Sequence, residues 1–176
     1  ISLDVLQWFA NNDVQVICTY PNNDAGSTLI IHELEKISHK NIQIHKSLGA
    51  PNYHGLLALA KNPEFNIACV GNSSSGIKET AMFGCPTVNI GSRQNGRLRA
   101  DNVIDVPNKH SEIKRGIEKC LFDPDFKKLC QLVDNPYRVG GAGEIIAEFI
   151  NKAPSKKVLI RKKMTIIGEV ENGWFR

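Results

Sequence analysis

The residues best suited to chemistry lie in one short turn between an apolar run and a helical pattern. Residues 71–76 read Gly-Asn-Ser-Ser-Ser-Gly, and helical spacing follows over residues 77–83. A helix that begins there points unpaired N–H groups and the positive end of its dipole at the turn. The hydroxyls of Ser73 and Ser74 add donors, and Gly76 lets a ligand approach the backbone. The turn therefore predicts an anion pocket, with phosphate as the expected anion.

The same turn departs from two motifs with better-known chemistry. Ile77 stands where a P-loop has its lysine, so Mg²⁺-dependent phosphoryl transfer is not predicted. Ser75 occupies the second-glycine position of a nucleophile elbow, so an acyl-transfer serine is not predicted either. An ordinary serine helix cap followed by a packing glycine would give the same residues. The turn alone leaves phosphate binding and helix capping open.

The elements that must position this turn alternate between strand and helix patterns. Short apolar runs predict strands over residues 14–20, 67–70, 87–90 and 102–106, and alternation of apolar and polar residues predicts one over 42–45. Helical spacing predicts helices over residues 1–11, 29–37, 53–60, 77–83, 112–121, 124–132 and 143–152. This alternation is typical of an α/β protein with a parallel, doubly wound sheet. Because such sheets bind ligands at the carboxyl ends of their strands, residues 20–24, 47–51, 71–76 and 91–97 are expected to converge on one edge.

Three ordered motifs resemble the UDP-N-acetylglucosamine 2-epimerase family. Residues 72–106 resemble its UDP-binding segment, most closely that of the hydrolysing enzymes that feed sialic-acid and related nonulosonate synthesis. Residues 20–27 resemble a second motif upstream. Residues 135–141 resemble a third, although Arg138-Val139 replaces the family's Asp-Gly. The resemblance implies a Rossmann-like fold, as the C-terminal nucleotide-binding domain of a two-domain enzyme of the GT-B type.

The resemblance implies that seven residues contact UDP: Asn22, Leu48, Ser73, Ser74, Gly76, Glu79 and Arg93. The serines and the helix N-terminus would bind phosphate, the arginine the diphosphate, and the glutamate the ribose hydroxyls. The leucine would pair with the uracil edge through its backbone. Both the glutamate and the asparagine also have a purely structural interpretation. The glutamate would be a first-turn acid that suits the helix dipole, and the asparagine would be an ordinary turn residue. Two further arginines, Arg97 and Arg99, are expected to face solvent.

The activity implied by the resemblance is conversion of UDP-N-acetylglucosamine to N-acetylmannosamine and UDP. The family's acid/base carboxylates and a leaving-group histidine precede the point where this sequence starts. We therefore predict no catalytic residue and no cofactor in this chain, and no turnover by it alone. Two alternatives are a GT-B glycosyltransferase donor domain and a noncatalytic sugar-nucleotide-binding subunit. The first usually carries a Glu-x₇-Glu pattern, and Glu79 has no such partner acid downstream.

Composition bounds the remaining possibilities. The 176 residues carry a net charge of +4, and residues 154–176 account for all of it with six Lys or Arg and two Glu. We expect a UDP-binding domain over residues 1–153 and a basic extension over 154–176, where 158–160 and 164–167 are possible small strands. A folded body without excess positive charge predicts no nucleic-acid partner, and no apolar run reaches the roughly 20 residues of a membrane span.

The cysteines and histidines show no metal-ligand spacing. The five cysteines are odd in number and lack a C-x-x-C pair, which predicts buried free thiols in a reducing cytoplasm rather than disulfides. The pair His32-Glu33 begins a zinc motif whose second histidine is replaced by Lys36, so no metal site is predicted. We expect a homo-oligomer in the full-length form.

Overall fold

The computed structural model describes residues 2–138, 140–154, 170–171 and 174–175. The contacts within the chain divide it into two units, residues 1–138 and 139–176. This division falls before the helix over 142–151, whereas the sequence places the domain boundary after it. The possible strands at 158–160 and 164–167, and most of the basic extension, lie outside the described residues.

The first unit contains five strands, and each pairing between them is parallel. The strands are β1 (Val16–Thr19), β2 (Ile42–His45), β3 (Cys69–Gly71), β4 (Thr87–Ile90) and β5 (Val103–Val106). One ladder joins β1 to β2, from Val16 opposite Ile42 to Thr19 opposite His45. The second sheet has the order β3-β4-β5. The predicted α/β class with parallel strands is confirmed, but the five described strands of this unit form two hydrogen-bonded sheets where the sequence predicts one.

Six helices lie in the described part of this unit, and the second, third and fourth of them connect successive strands as crossovers. They are α1 (Ser2–Asn11), α2 (Ser27–Glu35), α3 (Gly49–Ala58), α4 (Ser75–Lys78), α5 (His110–Phe122) and α6 (Pro124–Leu132), with 3₁₀ turns at Leu59–Lys61 and Thr80–Phe83. The start of α6 is set by Asp123, whose carboxylate accepts hydrogen bonds from the backbone N–H groups of Asp125 and Phe126, ahead of a proline at the first helical position.

The helix predicted over 77–83 is shorter and begins earlier than expected. The Thr80 hydroxyl donates to the Gly76 carbonyl at 2.7 Å and accepts from the Asn102 amide at 3.0 Å. A threonine side chain that bonds to the carbonyl four residues before it disturbs regular helix. The chain therefore leaves α4 at Lys78 and continues as a 3₁₀ turn, which ends at Gly84 with a φ of 61°.

The core of the first unit lies between α5 and the second sheet. Val88, Val106, Ile113 and Ile117 are buried together there, and Val5 and Phe9 of α1 join the same cluster. Gly116 allows the close approach of α5, because a Cβ at this position would lie 3.2 Å from Val88 Cγ1 and 3.3 Å from Val106 Cγ1. This packing fixes β4, whose carboxyl end leads to the site, together with its neighbour β5.

All five cysteines are free thiols, as the sequence predicts. Cys85, Cys120 and Cys130 are buried, and Cys18 and Cys69 are half-buried. Burial raises the pKa of the Cys85 and Cys120 thiols, and raises that of Cys130 to about 11. These side chains act as small apolar groups in the core.

One side chain of α6 anchors two distant loops. The Gln131 side-chain amide donates to the carbonyls of Ala60 and Gly84, each at 3.0 Å. The helix thereby holds the end of the 3₁₀ turn that follows α4 and the segment that leads into β3.

The second unit contains α7 (Ala142–Asn151) and the antiparallel pair β6 (Val170–Glu171) and β7 (Trp174–Phe175). Four apolar side chains of α7 are exposed: Ile145, Ile146, Phe149 and Ile150. In the part of the chain that the structure describes, no helix combines the length and apolar character needed to cross a bilayer.

Candidate functional site

The loop after β3 is tied to the loop after β4 through one backbone carbonyl. The carbonyl oxygen of Asn72 accepts from Arg93 Nη1 at 3.1 Å and from Gln94 Nε2 at 2.7 Å. Gln94 is buried, with 2% of its surface exposed, so this bond lies in a protected setting. The preceding residue, Gly71, has a φ of 151°, which side-chain-bearing residues rarely adopt. The backbone of the serine turn is therefore fixed from both sides.

The serine at the cap position of α4, Ser74, does not act as a helix cap. Ser74 precedes α4 with a helical backbone conformation, and its side chain makes no capping hydrogen bond. The Ser73 hydroxyl oxygen accepts from the Ser75 N–H at 3.4 Å and from the Ser75 hydroxyl at 3.1 Å. Ser74, at the cap position, therefore does not cap α4, whereas Ser73 accepts one N–H of its first turn, and phosphate binding by these serines stays a prediction.

A tyrosine that the sequence did not single out supports this turn. The Tyr53 hydroxyl on α3 donates to the Ser75 hydroxyl oxygen at 3.2 Å and lies 3.9 Å from Cys69 Sγ. Burial raises the pKa of Tyr53, so the phenol stays protonated and keeps its donor. The three hydroxyls form a directed chain from Tyr53 through Ser75 to Ser73. Because Ser73 Oγ accepts from both the hydroxyl and the backbone N–H of Ser75, its own proton remains to be donated.

Gly76 is buried and packs against the second sheet. A Cβ at this position would lie 3.4 Å from Thr87 Cγ2 and 3.9 Å from Cys69 Sγ. The space left by the missing side chain therefore faces β3 and β4. The predicted contact of this glycine with a ligand would use its backbone N–H, and it stays a prediction.

Glu79 follows α4 directly and is bonded by a histidine of α3. Its Oε2 lies 2.7 Å from His54 Nε2, and the two side chains are 39% and 44% exposed. The His54 ring also contacts the Phe83 ring, with centroids 5.2 Å apart. No sequence pattern links His54 to this site, because it lies 25 residues before Glu79 and shows no motif spacing.

Arg93 joins the loop after β1 to the site. Its Nη2 lies 2.9 Å from Asp24 Oδ2, while Nη1 holds the Asn72 carbonyl. The two side chains of the ion pair are about half and two-thirds exposed, at 49% and 64%. Exposed pairs of this kind contribute little to stability. Three of the four segments expected at one edge, the loops after β1, β3 and β4, therefore meet around the Arg93 guanidinium, whereas these contacts do not include residues 47–51.

The remaining two predicted contacts lie outside this cluster of hydrogen bonds. Asn22 is exposed in the loop after β1, two residues before Asp24. Leu48 precedes α3, and its carbonyl already accepts from the Asn52 side chain at 3.0 Å. The described residues give neither of them a contact with the serine turn, so their roles at the base stay predictions.

Side chains of the third sequence motif hydrogen-bond to backbone carbonyls next to the site. The Asn135 side-chain amide donates to the Lys78 carbonyl at 2.7 Å, and the Tyr137 hydroxyl donates to the Leu98 carbonyl at 2.9 Å. These bonds connect the end of α4 with the loop after β4. Arg97 is exposed as expected, but the expectation for Arg99 is wrong. Its guanidinium binds the Asp105 carboxylate and, at 2.7 Å, the Gln94 carbonyl, so it holds this loop together.

No group of three or more histidine, cysteine or acidic side chains in the described ranges is arranged to hold a metal ion. The donors that the site offers are hydroxyls, a guanidinium and a carboxylate. This set suits a phosphorylated ligand that also carries hydroxyl groups.

Parallel strands with crossover helices, and a polar site at the strands' carboxyl ends, define an α/β protein consistent with a Rossmann-like fold. The family model described as UDP-N-acetylglucosamine 2-epimerase matches residues 3–151. The chain therefore belongs to the UDP-N-acetylglucosamine 2-epimerase family, and the resemblance seen in the sequence is confirmed.

Several curated proteins are similar to this chain. It is 35% identical over 159 residues to the UDP-N,N'-diacetylbacillosamine 2-epimerase (hydrolyzing) of Legionella pneumophila, covering 90% of this chain and 39% of that protein. It is 36% identical over 119 residues to the GDP/UDP-N,N'-diacetylbacillosamine 2-epimerase (hydrolyzing) of Campylobacter jejuni, covering 66% and 29%. It is 29% identical over 153 residues to the UDP-N-acetylglucosamine 2-epimerase of Neisseria meningitidis, covering 84% and 37%.

The chain thus spans about two fifths or less of the length of these relatives. All three of these relatives are named as 2-epimerases of nucleotide sugars. They do not favour the glycosyltransferase or noncatalytic alternatives.

Proposed function

We propose that this chain is the nucleotide-binding, C-terminal domain of a GT-B-type hydrolysing 2-epimerase and holds the UDP part of UDP-N-acetylglucosamine. The observation that carries the proposal is the serine turn. Its backbone is fixed by Arg93 and Gln94, and its Ser74 hydroxyl makes no capping bond. A rigid turn with donors not used by the fold is what a phosphate group requires.

The diphosphate would bind between the serines and Arg93. The guanidinium keeps the Asn72 carbonyl on Nη1 and can exchange Asp24 for phosphate oxygens on Nη2, because that ion pair is exposed. The proposed reaction eliminates UDP to leave a glycal, and water addition then releases N-acetylmannosamine. Negative charge grows on the departing diphosphate in that elimination. Fixed donors at this position would stabilise the transition state without reorganising.

Glu79 would accept hydrogen bonds from the ribose hydroxyls, one helical turn from the serines. Asn22 and Leu48 would lie toward the uracil. Glu79 is assigned to the ribose, and we propose no base for the sugar among the described residues. We propose that the acid/base carboxylates belong to a further domain, and that the full-length protein is a cytoplasmic homo-oligomer.

A second substrate is favoured by the comparisons. The Legionella and Campylobacter relatives, at 35% and 36% identity, are named for UDP-N,N'-diacetylbacillosamine, whereas the relative named for UDP-N-acetylglucosamine is 29% identical. Both sugars share the UDP that this chain would hold. The nucleotide half of the site is therefore compatible with either.

The test compares the 176-residue chain with the full-length protein of its gene. Each is incubated with UDP-N-acetylglucosamine and with UDP-N,N'-diacetylbacillosamine, and UDP and free sugar are followed by NMR. We expect turnover by the full-length protein only, because a positioned base contributes about 10²–10⁴-fold. Sugar release by the chain alone that is lost on Glu79→Gln would show that the base lies in this domain instead. Release of neither product by the full-length protein would refute the epimerase proposal.

A further inference from the structure

The carboxylate assigned to the ribose has a partner that no sequence motif includes. His54 Nε2 lies 2.7 Å from Glu79 Oε2, which is a short, charge-assisted distance. In the described residues, the other oxygen of the carboxylate, Oε1, has no hydrogen-bond partner. His54 is adjacent on α3 to Tyr53, whose hydroxyl donates to Ser75. One helix therefore supports both the serine turn and the glutamate.

The chemistry of the pair determines which nitrogen of the histidine carries the shared proton. A carboxylate can only accept hydrogen bonds, so the proton in this contact sits on His54 Nε2. The bond exists whether the imidazole is neutral or charged. Each carboxylate oxygen can accept about two bonds, so Glu79 retains Oε1 and part of Oε2 for a ligand.

The ring itself is held by aromatic neighbours. Its centroid lies 5.2 Å from that of Phe83, tilted by 36°, and 5.8 Å from that of Tyr53, tilted by 42°. Phe83 belongs to the 3₁₀ turn that follows Glu79, so α3 and this turn restrict the histidine together. A donor with a restricted ring restricts the rotamer of the side chain it binds.

We propose that His54 is a positioning residue for ribose recognition: it fixes one oxygen of Glu79 so that the carboxylate is already oriented when the ribose hydroxyls arrive. The inference rests on the proposed function, because it requires UDP at this site. Glutamate has several rotamers in solution, and ordering it during binding would weaken affinity. His54 removes that cost before the ligand binds. It touches no reacting atom, so its effect reaches the nucleotide only through Glu79.

The test measures affinities of the 176-residue chain for UDP and for 2'-deoxy-UDP by titration calorimetry. We expect the native chain to bind UDP about tenfold or more tightly than the deoxy ligand. His54→Leu and His54→Asn, which lack a donor that reaches Glu79, should reduce this ratio about three- to tenfold while changing 2'-deoxy-UDP affinity by less than about twofold. His54→Gln should retain most of the ratio, since its amide can reach. His110→Leu removes a similar bond to Asp4, 3.1 Å long, and serves as the control.

The outcomes separate this inference from the proposed function. A native chain that binds neither ligand would overturn nucleotide binding, and the role of His54 with it. A native chain that discriminates, together with His54→Leu or His54→Asn variants that keep the full ratio, would overturn only the role of His54. The Asn variant decides the matter if the Leu variant does not fold, as judged by circular dichroism. Equal loss of affinity for both ligands would indicate a structural role and would also overturn the proposal.

Discussion

Replacing Ser73 and Ser74 together by alanine should abolish most UDP binding while leaving the fold nearly as stable. The Ser74 side chain makes no capping hydrogen bond, so its removal should cost almost nothing. Ser73 Oγ accepts a 3.4 Å bond from a backbone N–H and a 3.1 Å bond from the Ser75 hydroxyl. The longer contact is weak and the second lies in an exposed region. We therefore expect the double variant to lose no more than about 1 kcal/mol of unfolding free energy.

The effect on binding should be much larger. A hydrogen bond to a charged group contributes about 1.5–3 kcal/mol, so two lost bonds to phosphate amount to about 3–6 kcal/mol. At 1.4 kcal/mol for each factor of ten, the dissociation constant for UDP should rise by roughly 10²–10⁴-fold. The free energy of UDP binding should therefore fall several times more than the free energy of unfolding.

Titration calorimetry with UDP gives the affinity, and urea unfolding of the same preparations gives the stability. N-acetylglucosamine alone should bind the native chain more weakly than UDP. Ser111→Ala, on the exposed face of α5, is the matched control and should change neither quantity. An unchanged dissociation constant, with several kcal/mol of stability lost, would assign both serines to holding α4 and refute the anion pocket.

Two further predictions concern the scaffold. Gly84→Ala should lower the free energy of unfolding by about 2–4 kcal/mol, because its φ of 61° disfavours a side chain and a Cβ would lie 2.7 Å from the Gln131 amide oxygen. Urea unfolding against Gly55→Ala, where a Cβ meets nothing within 4 Å, checks this, and equal stabilities would contradict it. Stability should also fall as the pH rises from about 9 to 11, because burial raises the pKa of Cys130 from 9.0 to about 11 and the unfolded state loses its proton first. In reducing buffer the slope should approach about 1.4 kcal/mol per pH unit for each such thiol, and a Cys130→Ala variant with the native slope would contradict this.

Elements whose pattern is local were predictable from the sequence. The strands β2 and β4 occur at the predicted residues 42–45 and 87–90, because alternation of apolar and polar residues in the first and a short apolar run in the second are local signals of a strand. The serine turn was located for the same reason, since it lies between such a run and a helical pattern. Its position at the carboxyl end of a parallel strand follows from the fold class.

Features that depend on distant partners were not predictable. The early end of α4 depends on Thr80 and on Asn102, which lies 22 residues further along the chain. The start of α3 at Gly49 was missed because Pro51 resembles a helix breaker, although proline is tolerated in the first turn of a helix. The ion pair of Asp24 and Arg93 spans 69 residues, and neither side chain carries a pattern that names its partner.

The two bonds of Gln131 bear on the order in which the chain can acquire its structure. Its amide reaches back 71 residues to Ala60 and 47 residues to Gly84. During synthesis both carbonyls are made long before their common donor, and they must bond to water until α6 has emerged. Closing loops of this length is entropically costly and slows folding. The loops that Gln131 anchors are therefore expected to become fixed late, after α5 has packed on β4 and β5.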